Sequence, residues 1–474
     1  MFSYKSTLIT ISFILVLFIV IHFILDFDGL YGQDSYEYLR YTKALHTYLI
    51  SGKPPGSFFW PLYYPITGSI VSLLFAPPIA LQLISIAALV ISGYFISKTI
   101  LLLYPRTNYI SLYVLATFVF SPLVFRLGIT NMSDMFCTAL IVLSFYHGFS
   151  YYKKETIKHL YLVVVFSICA VMTRYVAFVV LSPLAVTICY SFFKTKKHFL
   201  HLPVLVLVGV VLLLPHVFIQ KNAIGFLNHN ALTLWSVINF FKLSFTTSEG
   251  VNNYNFPNII YAFSSLFHPR FLFFGIVLVL LYFKTKIITT EIKIVLFSLL
   301  TYSLFLAGIP YQNNRFLLLS YPLGIIVLYP SYLYLVDKME TYKMEKFLIL
   351  TLLFLQVCLS YLSLKPILNR NILEKTIAKE LHNYKKNTLY SFDIDVALQG
   401  RGLDFDYKNL WVIEYATFEK DALVLFHPTK FQKQWEGQNP LLNWNKLNNE
   451  YNLICLKEFP DGWMLYKIKP LKNE

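Results

Sequence analysis

HLPVLVLVGVVLLLPHVFI, residues 201–219, carries no charged side chain and is apolar at nearly every position. At 1.5 Å per residue such a helix is about 28 Å long, close to the ~30 Å hydrocarbon thickness of a bilayer. Lys194, Lys196 and Lys197 come just before it, the kind of flank that marks the cytoplasmic end of a span. Length and flank together read as a membrane helix.

Runs of the same kind recur at approximately 7–25, 79–103, 108–125, 132–151, 157–173, 175–193, 201–219, 258–283, 290–308, 315–336 and 346–364, about eleven spans by the length criterion. The first lacks a small-residue cleavage site, so it reads as an anchor and not as a signal peptide. With Lys5 in the cytoplasm, Lys98/Arg106, Lys153/Lys154/Lys158, Lys194/Lys196/Lys197, Lys284/Lys286/Lys293 and Lys338/Lys343/Lys346 all fall inside, as the positive-inside rule requires. That orientation puts the first loop (Asp26 to about Ala76), a loop from about Lys221 to Pro257, and everything after 364 outside.

Composition agrees. Of 474 residues 57% are hydrophobic and only 14% charged, with 43 Phe and 35 Tyr, which excludes an ordinary soluble enzyme and a disordered chain. The net charge of +15 comes from the short Lys clusters between spans, so it marks topology and not a nucleic-acid surface. Cys137, Cys169, Cys189, Cys358 and Cys455 form no CxxC pair, so neither a disulfide framework nor a zinc site is expected. The bias toward Phe, Tyr, Ile and Lys points to an AT-rich bacterial genome and hence to the cytoplasmic membrane.

Outside the spans, Tyr38, Tyr41, Leu45, Tyr48 and Leu49 recur at helical spacing and predict an interfacial helix. Ile66–Ala76 is too short to cross and predicts a second helix at the surface. After 364 the strings beginning at Leu389, Trp411, Ala422, Leu453 and Trp463 read as strands of a small mixed α/β domain. The expected architecture is therefore an α-helical polytopic membrane domain, 1–364, with interfacial helices in its first outer loop, followed by an extracytoplasmic α/β domain, 365–474.

Ionisable groups beside spans are costly and so mark function. Asp26, Asp28, Asp34 and Glu37 open the first outer loop, Asp134 heads the fourth span, Arg174 sits in the turn between the fifth and sixth, and Arg315 heads the tenth after Gln312-Asn313-Asn314. The structural alternatives are helix capping for Asp34, a dipole contact for Asp134 and a snorkelling anchor for Arg315.

Four of these features, in order, resemble the GT-C superfamily of membrane glycosyltransferases. They are Asp34 ahead of a tyrosine-rich helix, Trp60-Pro-Leu-Tyr-Tyr-Pro65 as the "PPLYP" element, Ser133-Asp134 as the second acid, and Arg315-Phe-Leu-Leu-Leu-Ser-Tyr-Pro322 as the "RYLLPxxP" element. The pattern is most similar to protein O-mannosyltransferases and to the aminoarabinose transferases of lipid A. Where the former carry Asp-Glu in the first loop, Asp34 is followed by Ser35.

The resemblance implies an inverting transfer of a sugar from a polyprenyl-phosphate donor to a hydroxyl of a glycan, lipid or protein acceptor at the outer face. It implies Asp34, Asp134 and Arg315 as catalytic residues: Asp34 as general base, Arg315 with Arg174 as cations for the leaving phosphate, and Asp134 orienting the acceptor or Asp34. Substrate-binding candidates are Glu37, Tyr38, Tyr63, Tyr64, Arg174, Gln312, Asn313 and His229, the last in a polar loop with Asn230, Trp235 and Glu249. No metal ligands are assigned; a divalent ion between carboxylates is left open. The rival class is a transporter or flippase of a lipid-linked or polar solute, which places its charges near the midplane of paired repeats; no such repeat is present.

Overall fold

A computed structural model describes residues 4–106, 108–219, 230–247, 250–384 and 387–471. Two compact units emerge: unit 1 comprises residues 1–29, 41–247 and 251–365, and unit 2 comprises residues 30–40, 248–250 and 366–474.

The first half of the chain supplies helices α1 (Tyr4–Ile19), α2 (Gly32–Ser51), α3 (Tyr63–Val71), α4 (Pro77–Leu103), α5 (Ile110–Val114), α6 (Pro122–Ile129), α7 (Ser133–Lys154), α8 (Ile157–Thr173), α9 (Ala177–Lys194) and α10 (Leu202–Ile219). After the short α11 (Asn230–Thr233) and a two-stranded sheet, β1 (Ser244–Thr247) and β2 (Gly250–Asn253), come α12 (Asn258–Phe263), α13 (Gly275–Thr285), α14 (Thr290–Ala307), α15 (Tyr321–Glu340) and α16 (Glu345–Leu381). Among the described residues, five helices are long and apolar enough to cross a membrane, with a sixth if the α5–α6 pair counts as one span. None of the α10 side chains is buried, and Leu207 and Phe218 are 60% and 75% exposed. A helix apolar all round and unburied along its whole length belongs in hydrocarbon and not in water.

Three of the expected spans take a different form. Residues 258–283 are two helices, because His268-Pro269-Arg270 interrupts the apolar run and Pro269 has no N–H to continue it. The run 108–125 bends by 74° between Val119 and Pro122; Pro122 starts a new helix where its missing N–H costs nothing. The run from 315 opens with a single tight turn, Phe316–Leu319, before α15 begins at Tyr321. Two helices do follow the first span, α2 and α3, but Tyr38, Tyr41 and Leu45 of α2, expected to face an interface, are buried in the protein, and α3 ends at Val71 and not at Ala76.

In the interior of unit 1, close packing depends on small residues. A Cβ on Gly128 meets Leu89 at 2.8 Å, and one on Gly148 meets Leu184 at 2.8 Å, so α6 approaches α4, and α7 approaches α9, at distances only glycine permits.

Unit 2 is built on a five-stranded sheet in the order β4-β3-β5-β7-β6, with β3 (Thr388–Ser391), β4 (Asp406–Asn409), β5 (Leu423–Phe426), β6 (Tyr451–Glu458) and β7 (Met464–Leu471). β3 is parallel to β4 and to β5, while β7 is antiparallel to β5 and β6. The central strand, Leu-Val-Leu-Phe, is buried at every position, as expected of a strand covered on both faces. Helices α17 (Asp395–Gly400), α18 (Pro428–Gln434) and α19 (Asn439–Glu450) complete it, with Phe426 stacked on Trp444 at 4.7 Å. Trp411-Val-Ile413 is an exposed turn and not a strand; the strand in that region is the polar β4, which hydrophobicity does not reveal.

Candidate functional site

The acidic head of α7 gathers two arginines from distant parts of the chain. Asp134 lies in the first turn of α7 and is fully buried. Its Oδ1 accepts from Arg174 Nη1 at 2.5 Å and its Oδ2 from Arg315 Nη2 at 2.8 Å. Both guanidinium groups remain partly open, at 16% and 23% exposure. Two permanently charged, forked guanidinium groups thus converge on one carboxylate, an arrangement whose donors suit oxyanion recognition. A buried carboxylate is tolerable only when paired and hydrogen-bonded on each oxygen, a condition that Arg174 and Arg315 meet.

Each member is held from behind. Arg174 follows the last residue of α8 in an extended conformation, donates its backbone N–H to Ala170 O at 2.9 Å, and lays its guanidinium over the Phe316 ring at 5.5 Å. The Arg315 backbone N–H donates to Asn313 Oδ1 at 3.0 Å, an Asx turn that fixes the residue's direction. Asn313 is itself bonded on both backbone groups to the Tyr261 hydroxyl, at 2.6 and 2.9 Å. Tyr302 donates to Phe316 O at 2.8 Å, and Asn258 Nδ2 donates to Ala307 O and Ile309 O. Thus α12, α14 and the 308–316 loop form one braced support under Arg315.

The start of α7 is fixed as tightly. Asn131 N–H donates to Gly29 O at 2.8 Å, and its Nδ2 donates to Asp28 O and Pro78 O. Gly29 has φ +80°, and a Cβ there would sit 2.1 Å from Asn131 Oδ1, so both its backbone angle and its surroundings demand glycine. Gln82 Nε2 donates to Phe27 O at 2.7 Å. The Asp26-Phe-Asp28 segment is thereby strapped to the helix start that carries Asp134.

The remaining expected residues fall as follows. Asp34 is in the first turn of α2, two residues after its start at Gly32, so it is not the residue that precedes and caps the helix. The Ser35 hydroxyl accepts from Tyr31 N–H at 2.8 Å. Glu37 pairs with Arg40 at 2.8 Å, and Tyr38 is buried. The Tyr63 hydroxyl donates to Leu212 O, while Tyr64 is fully buried and bonded to Ser85 Oγ at 2.8 Å; both hydroxyls are engaged in helix contacts. Gln312 Nε2 donates to Phe256 O at 2.9 Å, and Trp235 Nε1 to Phe305 O at 2.9 Å. His229 and Glu249 lie outside the described residues, as does the side chain of Asn230. Arg315 is not a snorkelling anchor, since it is tied to Asp134.

Reading the residues alone missed the supports: Phe316, Tyr261, Tyr302 and Asn258. The available signal was polar groups inside or against apolar runs, which need a partner. Among the described residues no group of three or more His, Cys, Asp or Glu is placed to hold a metal. At Asp134 the donor set does not suit a divalent ion, because both carboxylate oxygens already accept guanidinium hydrogens.

No protein-family model matches the chain, and no curated protein sequence does. Solved structures do. ArnT from Cupriavidus metallidurans bound to undecaprenyl phosphate superposes with a TM-score of 0.61 at 12% identity, covering 98% of each chain. The same protein in its apo state gives a TM-score of 0.62 at 11% identity, again over 98% of both chains. A helical domain followed by a small C-terminal sheet domain is therefore common to both proteins, and this chain has the ArnT fold.

Proposed function

We propose that the protein is an inverting glycosyltransferase that moves a sugar from a polyprenyl-phosphate donor to a hydroxyl-bearing acceptor at the outer face of the membrane. The observation that carries this reading is the Asp134–Arg174–Arg315 triad, a braced cationic pair in a fold shared with a protein solved with undecaprenyl phosphate bound. An acceptor hydroxyl attacks the anomeric carbon as its proton passes to Asp34. The bond from that carbon to the phosphate oxygen breaks, and the electron pair leaves with the polyprenyl phosphate. Negative charge grows on the phosphate during this step, and Arg174 and Arg315 stabilise it with preorganised donors. Asp134 is a positioning residue, since it holds the two guanidinium groups in register and its own oxygens are spent on them. No step is assigned to a metal ion.

The acceptor is a glycan, a lipid or a protein, and the membrane is that of a bacterial cell with the sheet domain outside. The donor reading is tested by binding of undecaprenyl phosphate to detergent-purified wild type and Arg315→Gln. Removing a charged hydrogen-bonding group from a phosphate site weakens binding by about tenfold or more. Equal affinity in both proteins removes the phosphate from the triad.

A further inference from the structure

Within unit 2, the segment that carries Asp34 is tied to the sheet domain through one buried carboxylate. The Tyr36 hydroxyl donates to Glu374 Oε2. Glu374, on α16, is fully buried; its Oε1 accepts from Arg370 Nε at 2.7 Å and its Oε2 from Arg401 Nη2 at 3.5 Å. Arg401 also lies over the Tyr36 ring at 5.6 Å. The Arg370 guanidinium in turn rests on the Trp463 ring at 5.6 Å, beside β7, and donates to Asp393 O at 2.9 Å. Two further contacts close the joint. Asn371 Nδ2 donates to Leu30 O at 2.9 Å, and a Cβ on Gly400 would stand 2.3 Å from the Tyr36 ring.

Helix geometry gives this joint a consequence for Asp34. At about 100° per residue, Tyr36 projects roughly 200° from Asp34, whereas Asp34 and Glu37 lie within about 60° of each other. Ser35, Tyr36 and Leu39 are buried, Gln33 and Arg40 are exposed, and Asp34 and Glu37 are intermediate. The face gripped by Glu374 is thus the one turned away from Asp34, and the grip sets the rotation at which α2 presents its acids.

We infer that Glu374 is a positioning residue for Asp34: the sheet domain clamps the first turns of α2 through Glu374 and Tyr36 and thereby fixes the direction of the general base. The inference rests on the transferase reading, so its test has one readout that needs no turnover. Backbone hydrogen exchange of residues 30–40 is measured on the full chain in detergent for wild type, Tyr36→Phe and Glu374→Gln. Turnover of a polyprenyl-phosphate sugar is measured on the same samples. Tyr36→Phe keeps the ring against Gly400 and Arg401 and deletes only the hydroxyl.

The expected result is exchange several-fold faster in this segment, with kcat lowered about tenfold or more and the donor KM unchanged, as follows from misaimed chemistry with intact binding. Glu374→Gln also deprives Arg370 and Arg401 of their carboxylate, so it gives a loss of kcat at least as large as Tyr36→Phe. The surface substitution Asp421→Asn, which breaks only the exposed pairs to Lys467 and Lys469, alters neither readout. Unchanged exchange in both variants overturns the clamp, whatever the activity. Faster exchange with wild-type kcat overturns the positioning role. A wild type that turns over no lipid-linked sugar overturns the transferase reading and with it the catalytic consequence, while the exchange data alone still decide the clamp.

Discussion

Asp134 is fully buried, and Arg174 and Arg315 take the place of solvent. Removing the charge leaves two cations facing each other in a buried site. Asp134→Asn is expected to destabilise the protein by about 3–5 kcal/mol and to weaken polyprenyl-phosphate binding through misplaced arginines; thermal unfolding in detergent with a binding titration reads both. Arg315→Lys keeps the charge and loses the planar fork. With one ammonium unable to serve Asp134 and a phosphate together, transfer falls by about tenfold or more while the fold persists, measured as kcat/KM. At this scale the charged members of the site were legible, because ionisable groups next to apolar runs are costly enough to be noticed. Their grouping was not. Nothing in the spacing of Asp134, Arg174 and Arg315 states that one carboxylate holds both arginines, and Tyr261 and Tyr302 look like ordinary apolar-run tyrosines until their bonds to Asn313 and Phe316 are seen.

Elements fix these residues by bracing their ends. Gly29 is where the segment after α1 meets the head of α7, and Gly29→Ala imposes both a disfavoured φ and a clash with Asn131. The expected cost exceeds about 1 kcal/mol, read as a lower unfolding midpoint than that of Gly52→Ala, where φ is also positive but a Cβ meets nothing. In the sheet domain, His427 opens α18 and its Nδ1 accepts from Lys430 N–H at 3.2 Å. Burial holds the His427 imidazole below its ordinary value. The unfolded chain therefore binds a proton that the folded domain refuses: stability is full above the ordinary His range and falls as pH drops through it. His427→Asn keeps a capping acceptor and is expected to lose this part of the pH dependence, checked by comparing the two unfolding midpoints at about pH 8 and about pH 5.5. Among the described residues the five helices long and apolar enough to cross a membrane all fall on apolar runs, fewer than the eleven runs counted, and the breaks at Pro122 and His268-Pro269 were not disclosed. Hydropathy averages over a window, and a proline's missing N–H acts at one residue.

For the whole molecule, the Lys distribution predicts a concrete topology under the positive-inside rule, with the sheet domain outside. Cys455 is exposed on β6, whereas Cys137 is buried in α7. On this topology a membrane-impermeant maleimide labels Cys455 on intact cells and fails on Cys455→Ser; labelling that requires permeabilised cells reverses the orientation. The α/β character of the last hundred or so residues was legible from β-prone strings, but the polar β4 and the exposed Trp411 turn were not, because sheet membership there depends on backbone pairing with β3 and not on side-chain hydrophobicity. The central claim is that a lipid-linked sugar is transferred with Asp34 as the base. It is met most directly by measuring release of free polyprenyl phosphate from a panel of polyprenyl-phosphate sugars, with membrane extract as acceptor, by wild type and by an equally folded Asp34→Asn. The account predicts release by wild type and a loss of at least about a hundredfold in the variant; equal release by both would contradict the role of Asp34, and release by neither would contradict the transferase itself.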